Sequence, residues 1–150
     1  MKDRDIQERI EKIKDKCHFD FIKIAFLQNA SNTYEIKSVY GSGNNSKRYL
    51  RIILKTGKGV AGQALKTGRP VFIVNVDEEI KRKNFHHYPI IMAEGLKSIG
   101  AIPLYEESRV IGVVVAGFRS YNKMTDELID QFNHRVTKEF SSLFKEMVKK

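Results

Sequence analysis

The chain has 150 residues, 41% hydrophobic and 30% charged, with a formal net charge of +9. That is the composition of one globular domain, 1–150, and not of a disordered segment; its single cysteine, Cys17, closes no internal disulfide and alone holds no metal. No apolar run approaches the ~18 residues needed to cross a bilayer, and the first helical stretch is too charged for a signal peptide, so a cytoplasmic protein with no membrane insertion is expected.

Taken in chain order, Ile6, Ile10 and Ile13 recur at helical spacing among charges, which predicts an amphipathic helix over 2–16 with Cys17 on its apolar face. Phe19–Leu27 is rich in β-branched and aromatic residues, QNASNT is turn chemistry, and Tyr34–Tyr40 alternates, so a hairpin is expected. GSGNNSKR reads as a loop and Arg48–Lys55 as a short strand or extended arm. Gly59–Lys66 suits two helical turns closed by Gly68, after which Pro70 opens the extended run VFIVNV. Asp77–Asn84 reads as a polar loop, and Pro89–Lys97 as a short helix with proline in its first turn. Ser98–Leu104 and Arg109–Phe118 read as strands joined by too short a turn for a parallel crossover, the second apolar enough to be the centre of the sheet. Thr125, followed by Asp126 and Glu127, is a good N-cap for a final helix in which Leu128, Phe132, Val136, Phe140, Leu143 and Met147 form a stripe. The class is α+β: a central antiparallel sheet, both terminal helices on one face, and a pocket covered by short helices and loops on the other.

Charge is unevenly placed. From Ile36 to Val76 there are eight Lys or Arg residues and no Asp or Glu, a field that raises the local concentration of anions. Within this block, KTGKGVAGQALKTGRPV (55–71) holds four glycines and three lysines. A helix that starts at Gly59 leaves its first N–H groups without intrahelical partners, backed by the positive end of the dipole, and an anion fits there. The plain alternative is that Gly57, Gly59 and Gly62 shape the backbone and do nothing more.

GKGVAGQALKTGRPVFIVNV (57–76), LKSIGAIPL (96–104) and RVIGVVVAGF (109–118) together resemble the GAF family of sensory domains. SGNNSKRY (42–49), YPIIMAEGLKS (88–98) and GFRSYNKMTDELIDQF (117–132) narrow the resemblance to the family's free-standing nitrate receptors. That resemblance implies a small apolar cavity in which nitrate is held by main-chain donors, without a buried cation, lined by Val60, Ala61, Tyr88, Pro89 and Ile90. It also implies a sensor histidine kinase as partner, possible homodimerisation and no resident cofactor. Where those receptors carry a tryptophan in the strand before SGN, this chain has Ser38, which is expected to enlarge the cavity.

No catalytic residue and no metal ligand set is expected. His86 and His87 are adjacent and expected to diverge, His18 and His134 are isolated, and Asp77, Glu78 and Glu79 suit a solvated loop. GAF relatives that reduce free methionine sulfoxide use pocket cysteines, whereas the one cysteine here lies in the first helix. The alternatives are a GAF module for a cyclic nucleotide or another larger metabolite, a ligand-free dimerisation module, and nucleic-acid binding by the basic block. The last is disfavoured because only Tyr40 and Tyr49 interleave the basic residues.

Overall fold

In the computed structural model, which describes residues 3–30, 33–51 and 57–148, five antiparallel strands form one sheet. The strands are β1 (Phe21–Ala30), β2 (Thr33–Ser42), β3 (Val71–Ile73), β4 (Ser98–Glu106) and β5 (Arg109–Phe118), in the order β2-β1-β5-β4-β3. The most apolar run in the sequence, β5, therefore takes the centre, covered on both sides. The fold class is α+β, as the short β4–β5 turn requires.

Alternation along β1 separates two cores. Ile22, Ile24 and Phe26 face α1 (Asp3–Cys17) and α5 (Asp126–Val148), joined there by Val114, Ala116 and Phe118 of β5. α1 buries Ile6, Ile10, Ile13 and Cys17, and α5 adds Phe132, Val136 and Phe140. Phe19 packs edge-on against Phe132 at 4.8 Å between ring centroids. Each such side chain taken out of water stabilises the fold by ~1.5–3 kcal/mol. The α5 stripe is borne out as core as far as Phe140; the side chains of Leu143 and Met147 lie outside the described residues. Thr125 caps α5 as expected, its Oγ1 accepting from the N–H of Leu128 at 3.2 Å.

Phe21 and Ala25 of β1 face the other way, with Val113 and Val115 of β5. This side is covered by α2 (Gly59–Thr67), α3 (Val76–Glu79), α4 (Pro89–Glu94) and two 3₁₀ segments, Arg48–Arg51 and Arg82–His87. Gly68 closes α2 with φ 69° and donates to Ala64 O.

Four local expectations differ. Arg48–Arg51 is a 3₁₀ turn and not a strand, which rotates Tyr49 inward against bare Gly41; residues 52–55 lie outside the described residues. The extended run after Pro70 stops at Ile73, because the Glu79 carboxylate takes the N–H groups of Val74 and Asn75 at 2.7 and 2.9 Å and Asn75 then caps α3. The polar stretch 77–84 is accordingly helical in part, its three acidic residues sitting in a first turn where the dipole favours them. In β2 the alternation breaks: pairing passes from Phe26↔Ser38 to Leu27↔Ile36, leaving Lys37 as an extra residue, a β-bulge. No helix among the described residues is long and apolar enough to cross a membrane.

Candidate functional site

The glycine-rich segment positions the start of α2. Gly59 has φ 70°, a conformation that L side chains rarely adopt, and a Cβ there would lie 3.4 Å from the carbonyl oxygen of His87. The first turn of α2 thus lies against the end of the 82–87 segment. Gln63 fastens the two together, its Nε2 donating to the Tyr88 hydroxyl at 3.2 Å. Lys58 supplies no side-chain cap to α2. Among the described residues nothing accepts from the main-chain N–H of Val60, Ala61 or Ile90.

The five residues named from the sequence lie on these two segments. Val60 and Ile90 are buried, and Ala61 and Tyr88 are half-buried against the same apolar cluster. Pro89 is exposed, at the first position of α4, where its missing N–H costs no hydrogen bond.

Beneath the cover lies a group that sequence reasoning missed. Lys23 stands on β1 between Phe21 and Ala25 and so faces the same side as they do; it pairs with Gly41 of β2 and Val115 of β5. Its relative exposure is 2%. Burial lowers its pKa from the ordinary 10.5 to about 8, because the charged form loses its water. The α2–α4 side of the sheet thus buries a cation that the sequence reading did not anticipate. The available signal was a lone lysine in FDFIKIAFL, with apolar residues marking both faces of its strand.

At the end of the sheet, Glu94 of α4 is wholly buried. Its Oε1 accepts from Arg119 Nη2 at 2.7 Å and from Asn45 N at 2.7 Å. Arg119 also donates to the carbonyls of Glu94 and Gly43, at 2.8 and 3.0 Å. Glu94 Oε2 has no partner among the described residues. The Tyr49 hydroxyl is pushed up in pKa by burial and secondarily by the Glu94 charge, so it stays neutral at ordinary pH.

Two further expectations are corrected. Ser38 pairs with Phe26 on the α1–α5 side, so it is no wall of a cavity on the α2–α4 side. The Lys37 bulge is the cause, since simple alternation from Ile36 would have put Ser38 on the same face as that residue. The rings of His86 and His87 do not diverge but pack at 3.9 Å between centroids, exposed on the 82–87 segment. Cys17 lies in the α1–α5 core with its pKa raised by burial to about 11, across the sheet from α2. Among the described residues no group of three or more His, Cys, Asp or Glu side chains is arranged to hold a metal ion.

The family model described as GAF domain matches residues 5–134. The NreA protein of Staphylococcus aureus, solved in a form mutated in its nitrate binding site, is 36% identical over 79% of this chain and 88% of that one, with a TM-score of 0.71. A domain of a two-component sensor histidine kinase protein from Sinorhizobium meliloti 1021 aligns over 97% of this chain and 92% of that one at 19% identity and a TM-score of 0.67. Free methionine-R-sulfoxide reductase from Neisseria meningitidis, solved with its substrate, aligns over 93% and 75% at 19% identity and a TM-score of 0.67. At such identities these last two share the fold, and the fold carries enzymes as well as sensory proteins. No curated protein matches the chain.

Proposed function

Since the chain belongs to the GAF family, we propose that it is a sensory protein without enzymatic activity, whose ligand is a small monoanion, nitrate, and whose occupancy modulates a sensor histidine kinase. The observation that supports the reading is the contact of the α2 start with residues 87 and 88, near which no described residue accepts from the N–H groups of Val60, Ala61 or Ile90. The 36% identity to a protein with a nitrate binding site supports the choice of anion. Nitrate is weakly hydrated and singly charged, so moving it among apolar side chains costs far less than moving phosphate, and fixed neutral donors repay much of that cost. A thiol-exchange reaction is disfavoured because the one thiol is buried on the far side of the sheet.

The output follows from population shift. An anion bridging α2 and residues 88–90 stabilises one placement of the α3–α4 cover, and a differential affinity of ~1–3 kcal/mol is enough for a usable signal. The test is calorimetric titration with nitrate, iodide, phosphate and cyclic nucleotides in parallel. Heat from nitrate and iodide with none from the others is expected; heat from a cyclic nucleotide alone replaces this reading. Ala61→Pro, which deletes one donor in the first helical turn, is expected to weaken nitrate roughly tenfold or more with the fold retained. Unchanged affinity displaces the site from the start of α2.

A further inference from the structure

We infer that Lys23 is the counter-charge of this site, its ammonium neutralised by the bound anion, and that it selects for a single negative charge. The inference rests on the small-anion reading above and assigns the residue that sets its charge preference.

Three observations lead there. Lys23 is held by its strand and not by its own flexibility: hydrogen-bonded neighbours flank it on both sides, and Phe21 and Ala25, fully buried, fix the face it shares. A charged lysine at 2% residue exposure is retained only where something offsets its lost hydration. Among the described residues no carboxylate pairs with it: the ion pairs are Arg4–Glu8, Arg9–Glu139, Lys12–Glu139 and Arg119–Glu94, and none includes Lys23. The one buried carboxylate on this side among the described residues, Glu94, is already balanced by Arg119. The α2–α4 side of the sheet therefore carries one buried positive charge in excess, which a monoanion cancels and a dianion overshoots.

The other titratable or charged groups on elements covering this face include Tyr49 and Arg48 on the 48–51 turn, Glu94 on α4 with Arg119, exposed Lys58 and Lys66 on and beside α2, exposed Asp77, Glu78 and Glu79 on α3, and Arg82, Lys83, His86, His87 and Tyr88 on the 82–88 segment. Tyr49 is raised and stays neutral through the window that matters. In the free protein Lys23 loses its proton above about pH 8. A bound anion favours the charged form, so binding above that pH takes up a proton, and affinity falls tenfold per pH unit.

The experiment compares wild type with Lys23→Met by calorimetry against nitrate, iodide, thiocyanate and sulfate, at pH 7 and pH 9, in two buffers of different ionisation heat. Thermal melts confirm that both are folded. Expected for wild type are monoanion binding without sulfate binding, about tenfold weaker affinity at pH 9, and buffer-dependent heat at pH 9. Expected for Lys23→Met are at least tenfold weaker monoanion binding and loss of the pH and buffer dependence, the remaining groups being unchanged. Wild-type nitrate binding that Lys23→Met reproduces at both pH values overturns the counter-charge and leaves the nitrate reading standing. Binding of iodide or thiocyanate but not nitrate, lost in Lys23→Met, supports the counter-charge and overturns nitrate as the ligand. Silence of wild type toward all the monoanions overturns both.

Discussion

On the side of α1 and α5, the described residues that β1 and β5 present to the core are apolar, and the buried charge at its edge, Glu139, is met by both Arg9 and Lys12 at 3.3 and 3.4 Å. On the side of α2 and α4 the same strand β1 presents Lys23, and the cover brings a wholly buried Glu94 with one oxygen that no described residue satisfies. The helix side meets its buried carboxylate with two cations, although Arg135 Nε of α5 has no described partner, whereas the other side buries a lysine that no described carboxylate pairs with. Packing explains most of the first; the second holds a buried lysine and a buried carboxylate beneath its cover at a cost to stability, which is the mark of a surface shaped for something besides folding.

The contrast breaks most visibly by cavity formation. Phe132→Ala on the helix side is expected to lower the unfolding free energy by about 3–5 kcal/mol in urea titration while nitrate affinity in the folded population is unchanged. A matching loss of affinity would mean that the two faces are not separable. Next in size, and opposite in sign, is Lys23→Met. A lysine with a depressed folded pKa carries a penalty that is fully present below about pH 8 and vanishes toward 10.5, since between those values only the unfolded chain keeps the proton. Without anion, Lys23→Met is therefore expected to be more stable than wild type by about 3 kcal/mol at pH 7, with the gap closing by pH 10.5. Equal stabilities across that range would show a lysine already compensated in the free protein. Gly59→Ala comes third: forced into φ 70°, it is expected to cost ~1–2 kcal/mol and to weaken anion binding through the displaced start of α2. Ser38→Ala is the smallest, within ~0.5 kcal/mol of wild type in stability and with unaltered nitrate affinity, because the residue belongs to the helix side.

Much of this arrangement was legible in the sequence. The spacing of Ile6, Ile10 and Ile13, the apolar continuity of 109–118 and the Thr125 cap gave both terminal helices, the central strand and the antiparallel sense, because periodicity and turn length are local properties. The start of α2 was legible for the same reason, through the glycines at 57, 59 and 62. What escaped depends on groups distant in sequence. The strand after Pro70 was ended by a carboxylate from Glu79, and Tyr49 was turned inward by the bare surface of Gly41. Lys23 escaped because its burial comes from two partner strands and a cover more than twenty residues away, none of which its own heptapeptide reveals.

The Lys37 bulge has a consequence for how this chain is to be set beside its relatives. Since the paired residue at 38 and the one at 36 look to opposite sides of the sheet, a relative that lacks the additional residue has its alternation in phase along the entire hairpin. A gap placed one position early or late would then assign a residue to the wrong chamber, turning a lining position into a packing one. In this strand one unpaired residue does what several substitutions would otherwise be needed for: it exchanges inside for outside over half the hairpin while changing no other side chain.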